Sequence, residues 1–145
     1  MAGAEALYDL ADASGIPVRG FSLPECRALS LIDDSGKCCI GIDNSRCYSA
    51  AEEKTMLAHE LGHCRTGSFY DSRTPPELRR RMERRADEWA ILHVLPLDDV
   101  LAACRAGLSG SYELAEFFGV EEPLMKRAID YYIMRNCNGT YGKDS

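Results

Sequence analysis

Apolar and polar residues follow different periods in different parts of the chain, and these periods predict its elements. Residues 4–13 carry leucines and small residues at helical spacing, and a glycine and a proline follow them, which predicts a short helix ending near residue 14. Between residues 18 and 43 the pattern changes to rough alternation on either side of the turn sequence DDSG, which predicts a β-hairpin. We expect this hairpin to form the only sheet.

The remainder of the chain has the pattern of helices joined by short loops. Ser49 precedes Glu52 by three positions, a spacing typical of a capping box at a helix start. The helix that begins there should run through the sequence HELGH, and a loop rich in Gly, Ser, Thr and Pro should follow at residues 65–76. Further helices are predicted at about residues 77–95, 98–105, 111–118 and 122–135. The predicted fold class is therefore α+β and mostly helical, with a small hairpin sheet and a helical C-terminal part.

Composition favours one soluble domain spanning residues 1–145, with residues 136–145 as a frayed tail. A chain of 145 residues that is 46% hydrophobic can bury one sizeable core. Its N-terminus is acidic where a signal peptide would be basic and then apolar, so we expect a cytoplasmic protein with no membrane contact. The seven cysteines are odd in number and two of them are adjacent, which favours reduced thiols over a disulfide framework.

Charge argues against a protein that binds nucleic acid directly. The formal net charge is −6 and the pI is about 5.1, whereas proteins that bind the phosphate backbone of nucleic acids carry basic surfaces. The two helices predicted around the sequence FFGVEEP have the outline of a helix-turn-helix, but their acidic residues favour packing or repressor recognition over DNA contact. A dense arginine cluster is interpreted as a solvated helix face that points mostly away from the candidate site; it comprises Arg79, Arg80, Arg81, Arg84 and Arg85.

The sequence HELGH predicts a metal site. On a helix, His59 and His63 lie one turn apart on the same side, as two ligands of one ion must. Glu60 lies toward the rim between them, where its carboxylate can accept a proton from the attacking water instead of binding the metal. The alternative is three polar residues on a solvated face, but the apolar residues around them make an unpartnered histidine pair costly. We expect one Zn²⁺ per chain.

A hydrolytic zinc site needs a third protein ligand, and Glu83 is the best candidate. It follows His63 by twenty residues, enough for a loop and the start of an antiparallel helix. Asp87 lies one turn further on the same face, where it can orient a zinc-bound histidine. The alternative for both acids is a set of ion pairs with the neighbouring arginines, and His93, the only other histidine, is more simply explained as a surface or packing residue.

Three stretches of the chain together resemble a known family. They are HELGH, then ERRADEWA from Glu83, then the LP at 95–96, and they are similar to the ImmA/IrrE metallopeptidases, whose pattern is HExxH followed by ExxA(D/N)xxA. A looser similarity extends to GIPVRGFSLP upstream and LAEFFGVEEPLMKRAIDYY downstream. The resemblance implies His59, His63 and Glu83 as ligands, Glu60 as the catalytic base and Asp87 as the supporting acid, in a zincin-like core.

The resemblance also implies a function. Such proteins are often encoded on mobile elements, including prophages, and cleave a helix-turn-helix transcriptional repressor at one site, so we expect a zinc metalloendopeptidase with a repressor as its protein partner. Two alternatives stay open: a zinc-containing anti-repressor that sequesters the repressor without cutting it, and a DNA-binding regulator. In the loop after the helix that carries HELGH, Tyr70 and Arg73 are candidates for stabilising an oxyanion or lining the substrate groove. The sequence predicts no oligomeric state.

Overall fold

The computed structural model describes residues 3–46 and 48–135, in which six helices are arranged around a three-stranded mixed sheet. In chain order the elements are α1 (Glu5–Ala13), β1 (Val18–Gly20), β2 (Ala28–Ile32), β3 (Cys38–Ile42), α2 (Ala50–Thr66), α3 (Pro76–Val94), α4 (Leu97–Arg105), α5 (Ser111–Phe118) and α6 (Glu122–Arg135). This confirms the mostly helical α+β class. The frayed tail predicted for residues 136–145 lies outside the described residues.

The sheet has the order β1-β3-β2, with β3 in the middle. The predicted hairpin is confirmed, since β2 pairs antiparallel with β3 and Ser30 lies opposite Ile40. β1 adds a strand that the sequence pattern did not predict, paired in parallel with β3 so that Val18 also lies opposite Ile40. Three residues are too few to show alternation, and a parallel partner leaves no turn signal in the sequence.

The helix α2 begins and ends where its sequence requires. The hydroxyl of Ser49 accepts a hydrogen bond from the backbone N–H of Glu52, and the Glu52 carboxylate accepts one from the backbone N–H of Ser49. This is the predicted capping box. At the other end Gly67 adopts a left-handed conformation with φ of 67°, which stops the helix after one further turn beyond His63.

Helices α2 and α3 pack unusually closely at Gly62. A Cβ atom placed on this glycine would lie 2.4 Å from the backbone oxygen of Ala86. Since ordinary carbon and oxygen contacts are longer than about 3.4 Å, only a residue without a side chain fits here. The close approach brings the face of α3 that carries Glu83 and Asp87 against the face of α2 that carries the two histidines.

The α5–α6 pair is fixed to α2 by polar contacts as well as by the apolar core. Lys54, which is buried on α2, donates a hydrogen bond of 2.6 Å to the carbonyl oxygen of Phe118. The backbone N–H of Glu121 donates one of 3.0 Å to the hydroxyl of Thr55. Gly119, with φ of 70°, makes the turn between the two helices. These contacts hold the helical pair beside α2.

The expectation of reduced thiols is wrong for one pair of cysteines. Cys38, at the start of β3, and Cys64, directly after His63 on α2, form a disulfide with their Cα atoms 5.9 Å apart. No local sequence pattern indicates this pair, because the two cysteines meet only when the sheet packs against α2. Among the other described cysteines, Cys26, Cys39 and Cys104 are free.

No helix within residues 3–46 and 48–135 combines the length and the apolar character needed to cross a membrane.

Candidate metal centre and active-site cleft

The two histidines of HELGH present the same ring nitrogen to one point. The Nε2 atoms of His59 and His63 lie 3.2 Å apart. Each ring is held from its other nitrogen: His59 Nδ1 bonds to Asp87 Oδ1 at 2.8 Å, and His63 Nδ1 donates to the carbonyl oxygen of Ser68 at 2.5 Å. These bonds engage the Nδ1 atoms, so both Nε2 atoms face the point where a metal would be held.

Glu83 completes the cluster from α3. Its Oε1 lies 2.9 Å from His59 Nε2, and its Oε2 lies 3.0 Å from His63 Nε2. Hydrogen bonds from His59 and then His63 hold the pKa of the Glu83 carboxyl well below its usual range. Glu83 is therefore ionised and available as a ligand at neutral pH.

The three side chains fit a metal ion. One donor atom from each of His59, His63 and Glu83 lies within 4.8 Å of the others. Ligands about 2.1 Å from a tetrahedral ion are roughly 3.4 Å apart. The two Nε2 atoms are 3.2 Å apart, and each lies about 3 Å from a different oxygen of the Glu83 carboxylate, 2.9 Å from Oε1 for His59 and 3.0 Å from Oε2 for His63. A small outward movement of side chains is enough to admit an ion. Two imidazoles and one carboxylate form a donor set typical of catalytic zinc sites, with a position left open for substrate.

Asp87 contacts the His59 ring in the way expected of the predicted supporting acid. Burial alone would lower the pKa of His59, but hydrogen bonds to Asp87 and Glu83 outweigh it and raise that pKa to about 10. The surroundings of this ring therefore favour a positive charge, which a bound cation supplies as well as a proton does. The sequence left open that Glu83 and Asp87 form ion pairs with neighbouring arginines of α3. In the structure both acids contact the histidines instead, and the arginine near Asp87 belongs to α6.

Glu60 lines the cleft beside the two histidines and is partly buried. Burial raises its pKa, although the charges of the histidines and a hydrogen bond from the Ser30 hydroxyl act in the opposite direction. A carboxylate with a raised pKa is a stronger proton acceptor than an ordinary glutamate. Glu60 is thus a candidate general base, and it is not part of the donor cluster.

A cleft of about 360 Å³ opens over the cluster. Its walls are β2, α2 and the loop that follows α2, and its lining includes Ala28, Leu29, Ser30, Phe69 and Tyr70. The Tyr70 hydroxyl donates a hydrogen bond of 2.8 Å to Glu83 Oε2, and burial followed by this bond raises the pKa of Tyr70 to about 12. Tyr70 therefore remains protonated and keeps a donor at the metal centre.

The structure places two other candidate residues away from the cluster. Arg73 is largely exposed, pairs with Asp71 at 3.4 Å and is not among the residues that line the cleft. His93 is exposed, donates a hydrogen bond of 2.9 Å from Nδ1 to the carbonyl oxygen of Trp89, and stacks on the Trp89 ring with centroids 3.9 Å apart. Neither geometry supports a role at the metal.

Three contributors to the site were not found from the sequence. The Ser68 carbonyl orients His63, the Ser30 hydroxyl bonds to Glu60, and Arg127 of α6 approaches Asp87. A backbone carbonyl carries no residue signature, and Arg127 is forty positions from its partner. Only Ser30 has a sequence signal, because it is a polar residue within the otherwise apolar segment ALSLI.

Comparison with known families agrees with this geometry. A model of the peptidase M78 family, described as the IrrE N-terminal-like domain, matches residues 11–129, which is most of the chain. The chain belongs to this family. The resemblance drawn from HELGH and ERRADEWA is thereby confirmed, and the His59, His63 and Glu83 cluster gives this M78 member the metal-binding group that a metallopeptidase needs. Comparisons with curated proteins and with solved structures give no match.

Proposed function

We propose that this M78 family member is a zinc-dependent endopeptidase that cleaves a helix-turn-helix transcriptional repressor in the cytoplasm. The observation that carries the proposal is the convergence of two imidazole nitrogens and one carboxylate on a single point, with a second carboxylate of raised pKa beside them in an open cleft. This arrangement suits hydrolysis of a peptide bond.

Zinc held by His59, His63 and Glu83 would supply Lewis-acid polarisation of the scissile carbonyl. Glu60 accepts the proton of the attacking water and then delivers a proton to the leaving amine. Glu60 and Ser30 both line the cleft, and the Ser30 hydroxyl favours the ionised form of the Glu60 carboxylate that accepts the proton. Tyr70 donates its one O–H to Glu83 at the rim of the cleft, and if it turned from Glu83 to the substrate it would be able to stabilise charge that develops on the carbonyl oxygen.

The strand β2 offers a way to hold an extended substrate. In the described part of the chain β2 pairs with β3 on one side only, and its first residues line the cleft. A substrate segment that adds to the free edge gains backbone hydrogen bonds whatever its side chains, and pockets beside the strand then set the sequence preference. This mode requires an extended or locally unfolded segment in the repressor, such as an interdomain linker.

The choice of a repressor rests on the family resemblance, which also implies a mobile element that encodes both proteins. The test is incubation of the zinc-loaded protein with the repressor encoded beside it, followed by measurement of intact masses. We expect two fragments whose masses sum to the repressor plus one water, and none after treatment with a chelator. A stable complex with an uncut repressor would contradict cleavage and would favour sequestration instead.

A further inference from the structure

The Asp87 carboxylate is held from two sides. Its Oδ1 bonds to His59 Nδ1 at 2.8 Å, and its Oδ2 lies 3.6 Å from Nε of Arg127 on α6. The Asp87 side chain is 21% exposed, so solvent competes only in part for its oxygens. His59, Asp87 and Arg127 therefore form a chain that runs from the metal cluster to the C-terminal helix.

The position of Arg127 is itself fixed. The helix α6 packs against α3, and its N-terminal end is held on α2 by the bond from the Glu121 backbone to Thr55. Leu124, one turn before Arg127, is buried in the core. The guanidinium is thus presented to Asp87 by a helix that is packed on both α3 and α2, although the Arg127 side chain is itself 56% exposed.

We infer that Arg127 is a positioning residue for the metal centre. By attracting Oδ2 it keeps the Asp87 carboxylate turned so that Oδ1 remains on His59 Nδ1, which in turn aims His59 Nε2 at the ion. Through this contact the α5–α6 pair supports zinc binding, although it contributes no ligand. The inference rests on the proposed zinc site.

An ordinary exposed ion pair is the competing explanation, and it predicts a different pattern. Exposed pairs contribute little, because water screens the charges and long side chains lose freedom. An ion pair of this ordinary kind would change the free energy of unfolding slightly and leave the zinc affinity unchanged. A pair that acts through Asp87 must lose its effect when Asp87 is removed, which a double-mutant cycle detects.

The experiment measures zinc affinity by competition with a chromophoric chelator for the parent protein, Arg127→Ala, Asp87→Ala and the double variant. Since Asp87→Ala should weaken zinc binding roughly ten- to a hundredfold, we expect Arg127→Ala to weaken it by roughly three- to tenfold. The double variant should match Asp87→Ala alone. Lys126→Ala is the matched control, because Lys126 is the neighbouring, exposed cation and pairs with Glu122 instead, and it should bind zinc as the parent does.

Two further measurements separate positioning from damage to the fold. Arg127→Lys keeps the charge without the guanidinium geometry and should fall between the parent and Arg127→Ala in zinc affinity. The visible absorption of the cobalt-loaded protein should change in Arg127→Ala and not in Lys126→Ala, because only the first alters a ligand's orientation. Parent-like zinc affinity in Arg127→Ala, or effects that multiply in the double variant, would overturn the inference alone. A parent protein that binds no zinc would overturn it together with the proposed function.

Discussion

Replacing Gly62 with alanine tests whether the contact between α2 and α3 sets the geometry of the metal centre. The new Cβ would lie 2.4 Å from the backbone oxygen of Ala86 and 2.9 Å from its Cα. Backbone atoms in the middle of a helix cannot rotate away, so the two helices must separate by roughly 1 Å to restore an ordinary contact. His59 and His63 would then move away from Glu83.

The size of the effect follows from two opposing contributions. Alanine favours a helix interior over glycine by about 1 kcal/mol, whereas forcing an extra carbon into a packed interface costs about 1 to 3 kcal/mol. The net loss should be about 0 to 2 kcal/mol in the free energy of unfolding, and near the upper value because the clash is with backbone atoms; for a chain of this size this corresponds to a melting temperature lower by up to roughly 6 °C. Zinc affinity should fall as well, because ligands from both helices are displaced.

The assay combines thermal unfolding followed by circular dichroism with zinc competition. Gly41→Ala is the control: its Cβ would meet the ring of Phe21 at 2.4 Å, but that side chain is 42% exposed and can turn aside. Gly41→Ala should therefore keep the zinc affinity of the parent. If Gly62→Ala melted at or above the parent temperature with unchanged zinc affinity, the close contact could not be what aligns the ligands.

Three further predictions concern the ligand set and the disulfide. Glu83→Ala should lose zinc and melt at a lower temperature, because a bound ion contributes to folding, and elemental analysis with a melting curve would show it. His93→Ala, a histidine outside the cluster, should retain one zinc per chain in the same analysis, and loss of the metal would show that the ligand set is wrong. Cys38 and Cys64 enclose a loop with a sequence separation of 26, so the oxidised protein should gain about 3 kcal/mol over the reduced form. Peptide mapping without reductant should recover these two cysteines linked, and finding both as free thiols would contradict the structure.

Features that depend only on the spacing of residues along one helix could be predicted from the sequence. The capping box at Ser49 and Glu52 fixes the start of α2, and the four-residue spacing of His59 and His63 fixes their common side. The same spacing between Glu83 and Asp87 indicated two acids on one face, and the structure places both beside His59. In each case a helix repeats every 3.6 residues, so sequence distance determines direction.

Features that depend on tertiary contacts could not be predicted in the same way. β1 is a strand only because β3 lies beside it, and the disulfide exists only because the sheet packs on α2. Arg127 reaches Asp87 because α6 crosses α3, which no local pattern encodes. Gly62 lies within HELGH, yet its role as the point of closest approach to Ala86 is visible only once both helices are placed.

The claim that this protein cuts a peptide bond is tested most directly by Glu60→Gln, compared side by side with the parent on the repressor encoded beside it. Glutamine keeps the size and most of the hydrogen bonding of glutamate but cannot accept the proton, so zinc content and repressor binding should persist. Loss of general-base action slows such reactions by roughly a hundredfold or more. Intact-mass measurement should therefore show two fragments with the parent and an uncut repressor with Glu60→Gln over the same time. Fragments produced equally by both proteins, or relief of repression in cells by both with no fragments from either, would contradict the proposed mechanism.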